Sequence, residues 1–233
     1  MSRENQARDL LARVAREHQP ATLASSLSIE DMVLTDLIGS QRLPVEIFVL
    51  DTGRLHGDTL DLVGRIEQRY GIAVRIYQPQ PQAVSEYVVR FGRDAFYESV
   101  DLRKQCCGIR KVEPLKRALA GKRAWITGLR RDQSTFRADV AFEESDDVHG
   151  LMKLNPLADW SEADVWTYIH RYEVPYNPLY DQGYRSIGCA PCTRPVVVGE
   201  DTRAGRWWWE VSSASECGIH FSPEGKIIRE KAA

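Results

Sequence analysis

The stretch 45–51, "VEIFVLD", is apolar at nearly every position and stops at an aspartate. A half-exposed strand alternates apolar and polar residues, so a run this continuous reads as a strand covered on both faces, the kind found in parallel sheets flanked by helices. The neighbouring sequence follows the same logic. Residues 4–18 carry Ala7, Leu10, Leu11, Val14 and Ala15 at helical spacing, "ATLASSLS" reads as a strand running into a polar turn, and "IEDMVLTDLIGS" as the helix after it. A helix over 57–70 and a strand "AVRIYQ" come next. Further on stand a helical stretch "CGIRKVEPLKRAL" broken or kinked at Pro114, a buried strand "RAWITGL", and a helix "SEADVWTYIHRY" capped by Ser161. This alternation predicts an α/β fold with a mostly parallel sheet and flanking helices. Ligands of such sheets sit beyond the carboxyl ends of the strands, so the loops after residues 26, 51 and 128 are expected to converge on one site.

From about residue 176 the texture changes to Pro, Gly and aromatic residues with little periodicity, which predicts loop-dominated structure. The expected organisation is an α/β domain over 1–200 and a C-terminal tail over 201–233. With 233 residues and 43% hydrophobic content the chain can bury a substantial core. Its net charge of −2 provides no whole-chain basic field for nucleic acid or an anionic membrane, so anion binding must be local. The N-terminal stretch is charged throughout, no secretory apolar region is seen, and no segment approaches the roughly 18 apolar residues of a membrane span. A soluble cytoplasmic protein is expected.

In a reducing compartment the five cysteines are metal ligands, reactive thiols or small core residues rather than disulfides. Cys106 and Cys107 are adjacent, and adjacent side chains diverge by about 100° on a helix or to opposite faces of a strand. They are awkward ligands for one small ion and suit a larger inorganic core better; Cys189 and Cys192, in "CAPC", have ordinary metal-knuckle spacing. Zinc stays open on geometry alone. A thiolate-bound iron–sulfur core is anionic, and Arg110 and Lys111 follow the first pair within one turn. Cys217 stands apart in "SASECGIHF", either as a nucleophile or as an incidental exposed thiol, with Arg203 and Arg206 upstream to lower its pKa or grip an anionic substrate. Trp207, Trp208 and Trp209 read as packing anchors. "SSLSIED" offers hydroxyls and amide N–H groups at a helix start, an anion cradle or simply a cap. "LDTGRLH" adds Gly53 and Arg54, and "TGLRRDQSTFR" adds Arg130, Arg131 and Arg137, whose guanidinium forks suit phosphate and sulfate oxygens.

Taken in order, "SSLSIED", "LDTGRLH", "CCGIRKVEPL", "TGLRRDQS", "NPLADWSEADVW", "PYNPLYDQGYRSIGCAPCT", "GRWWWE" and "ECGIH" span nearly the whole chain. This set resembles the assimilatory sulfonucleotide reductases, specifically the iron–sulfur adenylyl-sulfate reductases. The resemblance implies an adenine-nucleotide α-hydrolase-like (PP-loop-related) fold and a 4Fe-4S cluster on Cys106, Cys107, Cys189 and Cys192. It implies Ser26 and Ser28 in the phosphate-binding turn, Leu50, Asp51 and Gly53 around the nucleoside, and Arg130, Arg137, Arg203 and Arg206 around the phosphosulfate. Lys111 would link cluster and substrate. Cys217 would attack the phosphosulfate, forming an S-sulfocysteine that a thioredoxin-type dithiol resolves, with sulfite and AMP as products of sulfate assimilation. Members without the four cluster cysteines generally use the 3′-phosphorylated nucleotide, so the full set points to adenosine 5′-phosphosulfate; a 3′-phosphoadenosine 5′-phosphosulfate reductase and an iron–sulfur ATP pyrophosphatase or tRNA-thiolating enzyme are the alternatives. The turn lacks the Ser-Gly-Gly-x-Asp-Ser of the related pyrophosphatases, and Ser215 replaces the basic residue usual before Glu-Cys-Gly. A homo-oligomer is expected.

Overall fold

The computed structural model describes residues 2–134 and 137–210. A six-stranded sheet organises it, with helices on both faces. In chain order the elements are α1 (Arg3–Glu17), β1 (Ala21–Ser25), α2 (Ile29–Ser40), β2 (Glu46–Leu50), α3 (Gly57–Tyr70), β3 (Val74–Tyr77) and α4 (Pro81–Phe91). They continue as α5 (Val100–Cys107), α6 (Glu113–Leu119), β4 (Ala124–Ile126), β5 (Glu143–Asp146), β6 (Leu151–Leu154) and α7 (Glu162–Arg171). The strand order is β3-β2-β1-β4-β6-β5, parallel except for β5, which pairs antiparallel with β6.

The expected two-sided burial of β2 is realised. Ile47 and Val49 join the main core, packed with α1, α2, α3 and α7, while Phe48 between them points to the other face and packs with Leu115, Leu119 and Trp125. Because α2 is covered all round, it buries even Asp36, whose carboxylate accepts from Tyr70 (2.8 Å) and Tyr168 (2.7 Å). Ser161 caps α7 through a reciprocal box with Asp164, as its sequence predicts.

Of the two outcomes expected at Pro114, a break does not occur. A π-helical turn over Gly108–Val112 joins α5 to α6, with Glu113 N–H donating to the Gly108 carbonyl five residues back. Proline has no N–H for the carbonyl four residues before it and its ring crowds that carbonyl, so the wider turn just upstream lets the helical path continue. The β5–β6 hairpin and α4 have no counterpart in the sequence reading; "EESD" contains no apolar residue, as befits a charged edge strand, and so carries no burial pattern.

Strand order reverses between β1 and β4, since the chain runs β1-β2-β3 to one side and continues with β4 on the other. A crevice opens at that reversal, outside the carboxyl ends of β1 and β4. Among the described residues no helix is long and apolar enough to cross a membrane.

Candidate active site

A cavity of about 240 Å³ occupies the crevice, and the loops after β1, β2 and β4 all contribute to its wall, as anticipated. Ser26, Ser28, Leu50, Arg130, Arg137, Arg203, Arg206 and Lys111 line it. Asp51 and Gly53 do not. The Asp51 carboxylate turns toward β3, accepting from Gln78 Nε2 (2.8 Å) and from Gly53 N–H (2.9 Å), while Gly53 takes the left-handed φ of 69° that closes this turn. Arg54 and Arg131 also leave the rim, Arg54 to Asp94 and the Phe96 ring, Arg131 to the Val140 carbonyl and the Phe142 ring.

The first loop is a constrained turn. Leu27 holds φ 62°, a left-handed conformation uncommon for a residue with a Cβ, and its N–H donates to Ser25 Oγ. On either side of it, Ser26 N–H (2.7 Å), Ser26 Oγ (2.7 Å) and Ser28 Oγ (3.3 Å) all donate to one oxygen of Asp31. Burial pushes the Asp31 carboxyl up to about 6; the Ser26 side-chain and backbone bonds oppose that shift, and the charge of Glu30 adds to it. The β4 loop lies close by: a Cβ on Gly128 would meet Asp31 Oδ1 at 2.5 Å and the Glu30 Cβ at 2.8 Å, which is why glycine stands there.

Beneath the rim, Glu30 organises the arginines. Its Oε1 accepts from Arg130 Nε (3.0 Å), Arg130 Nη2 (2.9 Å) and Gln133 Nε2 (2.9 Å), while Gln133 Oε1 accepts from Arg137 Nη1 (2.5 Å). Arg130 is therefore pinned by protein groups, including the Trp160 carbonyl at 3.2 Å. Sequence reasoning missed Glu30, Asp31, Gln133 and Tyr180, whose hydroxyl accepts from Ile29 N–H at 3.3 Å. Acidic residues opening a helix are common for dipole reasons alone, so nothing local marked these two as pocket residues.

The four described cysteines meet beside the cavity. Cys189 and Cys192 are buried with Phe96 and Trp207, and Cys106 packs on the same cluster. Burial raises the Cys106 thiol, with the Cys107 sulfur adding to the rise and Arg110 opposing it. Burial and then Cys189 push Cys192 up to about 12. For Cys189 burial also raises, but Lys111, the Thr52 hydroxyl (3.2 Å from Sγ), Arg206 and Arg110 outweigh it and the net shift is downward. Two guanidiniums lie against the Trp207 ring, Arg103 at 4.4 Å and Arg206 at 4.7 Å from its centroid. Buried Arg103 Nη1 and Arg206 Nε have no hydrogen-bond partner among the described residues.

No three His, Cys, Asp or Glu side chains among the described residues are grouped as ligands of one ion. An all-sulfur donor set whose members act on one another, with Lys111, Arg110 and Arg206 beside it and Arg103 Nη1 and Arg206 Nε left without partners among the described residues, fits an anionic thiolate-bound core. Trp207 and Trp209 are packing anchors as expected, whereas Trp208 is exposed. Residues 201–210 pack onto the body through the Thr193–Arg206 bridge and the buried Arg103–Glu210 pair. Cys217 and Ser215 lie outside the described residues.

Comparison with known proteins agrees with this geometry. Residues 20–195 match the phosphoadenosine phosphosulfate reductase domain. An adenosine 5′-phosphosulfate reductase of Allochromatium vinosum is 56% identical over 95% of this chain and 88% of its own, and one of Burkholderia cepacia is 54% identical over 91% and 85%. Among solved structures, a phosphoadenylyl-sulfate reductase of Candida auris in complex with phosphate superposes with a TM-score of 0.70 at 29% identity, covering 81% of this chain and 90% of that one. An FMN adenylyltransferase of Candida glabrata, at 15% identity and a TM-score of 0.56 over 83% and 62%, shares the fold. A parallel sheet that reverses at a cavity rimmed by serines and arginines, and a domain match over most of its length, show that the chain belongs to the sulfonucleotide reductase family.

Proposed function

We propose that this chain reduces adenosine 5′-phosphosulfate to sulfite and AMP in sulfate assimilation. The observation that carries the reading is the shared wall: Lys111 and Arg206 line the cavity and also act electrostatically on Cys189 and Cys192. The α2 N-terminus with Ser26 and Ser28 takes the phosphate end, Leu50 lies along the nucleoside, and Arg137, Arg203 and Arg206 hold the phosphosulfate. Arg130, pinned by Glu30, acts as a rigid support of the arginine layer. Asp51 and Gly53 shape the nucleoside wall through the β2 turn.

Cys106, Cys107, Cys189 and Cys192 would hold a 4Fe-4S cluster, which when bound supplies a fixed anionic charge beside Lys111. The chemistry belongs to the tail. The Cys217 thiolate attacks the sulfur of the phosphosulfate, the bond from sulfur to the bridging oxygen breaks, and AMP leaves with the electron pair, its developing charge stabilised by Lys111 and the arginines. A dithiol of the thioredoxin class then attacks Cys217 Sγ, sulfite leaves, and the second thiol closes the reductant's disulfide as the Cys217 thiol is restored. Residues 201–233 form the unit that carries this thiol, and dependence on reduced thiols suits a cytoplasmic setting.

The full chain given nucleotide without reductant should accumulate a sulfite-sized adduct on the peptide containing Cys217, and thioredoxin should remove it. Sulfite production by Cys217→Ser, or an adduct on another cysteine, refutes the assignment. Side-by-side turnover of the 5′-phosphosulfate with and without a 3′-phosphate tests the substrate.

A further inference from the structure

The Asp31 carboxylate is placed oddly for a helix cap. It stands at the third position of α2, three residues after Ser28, where the usual reciprocal box has the serine hydroxyl accept from the third N–H and the acid accept from the serine N–H. Here Ser28 makes no side-chain cap bond; its hydroxyl donates to Asp31, and Asp31 reaches two residues further back to the N–H and hydroxyl of Ser26. Those three donors flank the left-handed Leu27 and line the cavity. They are the groups an oxyanion entering this turn would use, and a carboxylate already holds them.

We propose that Asp31 competes with the substrate's anionic group for the donors of Ser26 and Ser28, so that binding the sulfonucleotide is coupled to uptake of one proton by the Asp31 carboxyl. The proposal rests on the reading above that this turn is the anion site. An anion brought beside a buried carboxylate disfavours its charge, and a protonated Asp31 both releases the donors and removes the repulsion. The groups packed around Asp31 leave it as the one that adjusts. Glu30, beside it on α2, is held by Arg130 and Gln133. From the segment after α7, burial keeps the Tyr180 hydroxyl protonated far above neutrality, and at the start of α7 Glu162 is bound by Arg185 at 3.1 Å. From the β4 side the backbone of Gly128 comes closest, with Asp132 bound to Arg130 at 3.3 Å and Arg137 bound to Gln133. Burial has already lifted the Asp31 carboxyl to about 6, within reach of physiological protonation.

The sign follows from linkage. Binding raises the Asp31 pKa further, so affinity is highest below about pH 6 and weakens above it, by up to about tenfold per pH unit, until the pKa of the complex is passed. Both acid groups of a phosphosulfate are strong acids and do not titrate here. Calorimetric titration of the full-length Cys217→Ser protein with adenosine 5′-phosphosulfate, from about pH 5.5 to about 8.5 in buffers of differing ionisation enthalpy, reads the proton count directly. The expected result is an uptake approaching one proton per nucleotide above pH 6, a sloping Kd, and a flat Kd with tighter inorganic sulfate binding in Asp31→Asn. Zero proton uptake with Asp31 intact, or an unchanged slope in Asp31→Asn, overturns the proposal. Replacing Ser26 and Ser28 together by alanine separates the two readings: unweakened nucleotide binding removes the anion site itself and the proposal with it, whereas weakened binding without proton uptake in the parent removes Asp31's role alone.

Discussion

Arg130 at the base of the cavity and Arg206 at its border with the thiols are both buried guanidiniums, yet among the described residues only Arg130 has a carboxylate partner. Arg206 donates at 3.3 and 3.4 Å to Ser186 Oγ and the Ile187 carbonyl, and Arg110 to the Thr52 carbonyl at 2.7 Å. In the cavity the protein supplies its own anions, Glu30 to Arg130 and Asp31 to the serine turn. Around the thiols Arg103 is answered by Glu210, but among the described residues Arg110 and Arg206 are set by neutral oxygens and have no carboxylate partner. An internal carboxylate can be exchanged for a passing anion at the cost of a proton, which suits a substrate; cations set only by neutral oxygens and thiols suit a resident anion. Lys111 and Arg206 belong to both plans, so charge on one side is felt on the other.

Removing one sulfur should break the thiol side outright. Cys192→Ser is expected to lose bound iron and sulfite production together, because a hydroxyl is a poor replacement for a buried thiolate ligand. Iron equal to the parent's, or stoichiometric zinc in the parent, would contradict the proposed donor set. Next in size is a buried ion pair beside the thiols. Arg103 and Glu210 are joined side-on through Nε and Nη2, the latter at 3.0 Å, with side chains only 3% and 4% exposed. Glu210→Ala leaves a buried guanidinium unanswered and should cost about 3–5 kcal/mol in urea unfolding, whereas Arg103→Met with Glu210→Leu should recover much of it. Equal stability of parent and single variant would show that solvent reaches Arg103.

The two regions were unequally legible in the sequence. The sheet and its helices follow from β2, α2 and α3, whose apolar patterns are strong enough to give almost the observed limits. The convergence of three strand-end loops follows from the parallel order. The cysteines announce themselves by spacing, and the family resemblance supplied the assignment of cluster and nucleophile. What composition and periodicity did not carry is the pairing of charges: nothing in "SIED" says that Glu30 answers Arg130 a hundred residues later, or that Asp51 turns toward Gln78 and away from the cavity. Such partnerships depend on three-dimensional register, which a two- or four-residue period does not encode. The charged β5 strand was invisible for a related reason, since it has no apolar face to display.

At the shared wall, Lys111→Ala tests whether the two plans are joined. A preorganised cation of this kind contributes about 2–4 kcal/mol to transition-state stabilisation. We expect kcat/KM for sulfocysteine formation to fall by the corresponding factor, with iron content and the unfolding midpoint kept. An unchanged kcat/KM would reduce Lys111 to a bystander between two independent sites.

The smallest effect belongs to the serine turn and sharpens the exchange idea. Ser26→Ala removes one donor to Asp31 and leaves the backbone N–H and Ser28 Oγ in place. The stability cost should be about 0.5–1.5 kcal/mol, that of a single hydrogen bond. Its pH dependence is the informative part. Burial raises the folded carboxyl of Asp31 above its unfolded value, so the stability this group contributes is full below the unfolded carboxylate range and declines as pH passes about 6. The Ser26 hydroxyl bond opposes that shift by favouring the ionised form. Losing it should push the Asp31 pKa higher still and make the destabilisation larger at about pH 8 than at about pH 5, read from urea unfolding at the two values. A cost equal at both would mean that the hydroxyl bonds the acid and the carboxylate alike, and that the turn does not sense the charge of Asp31.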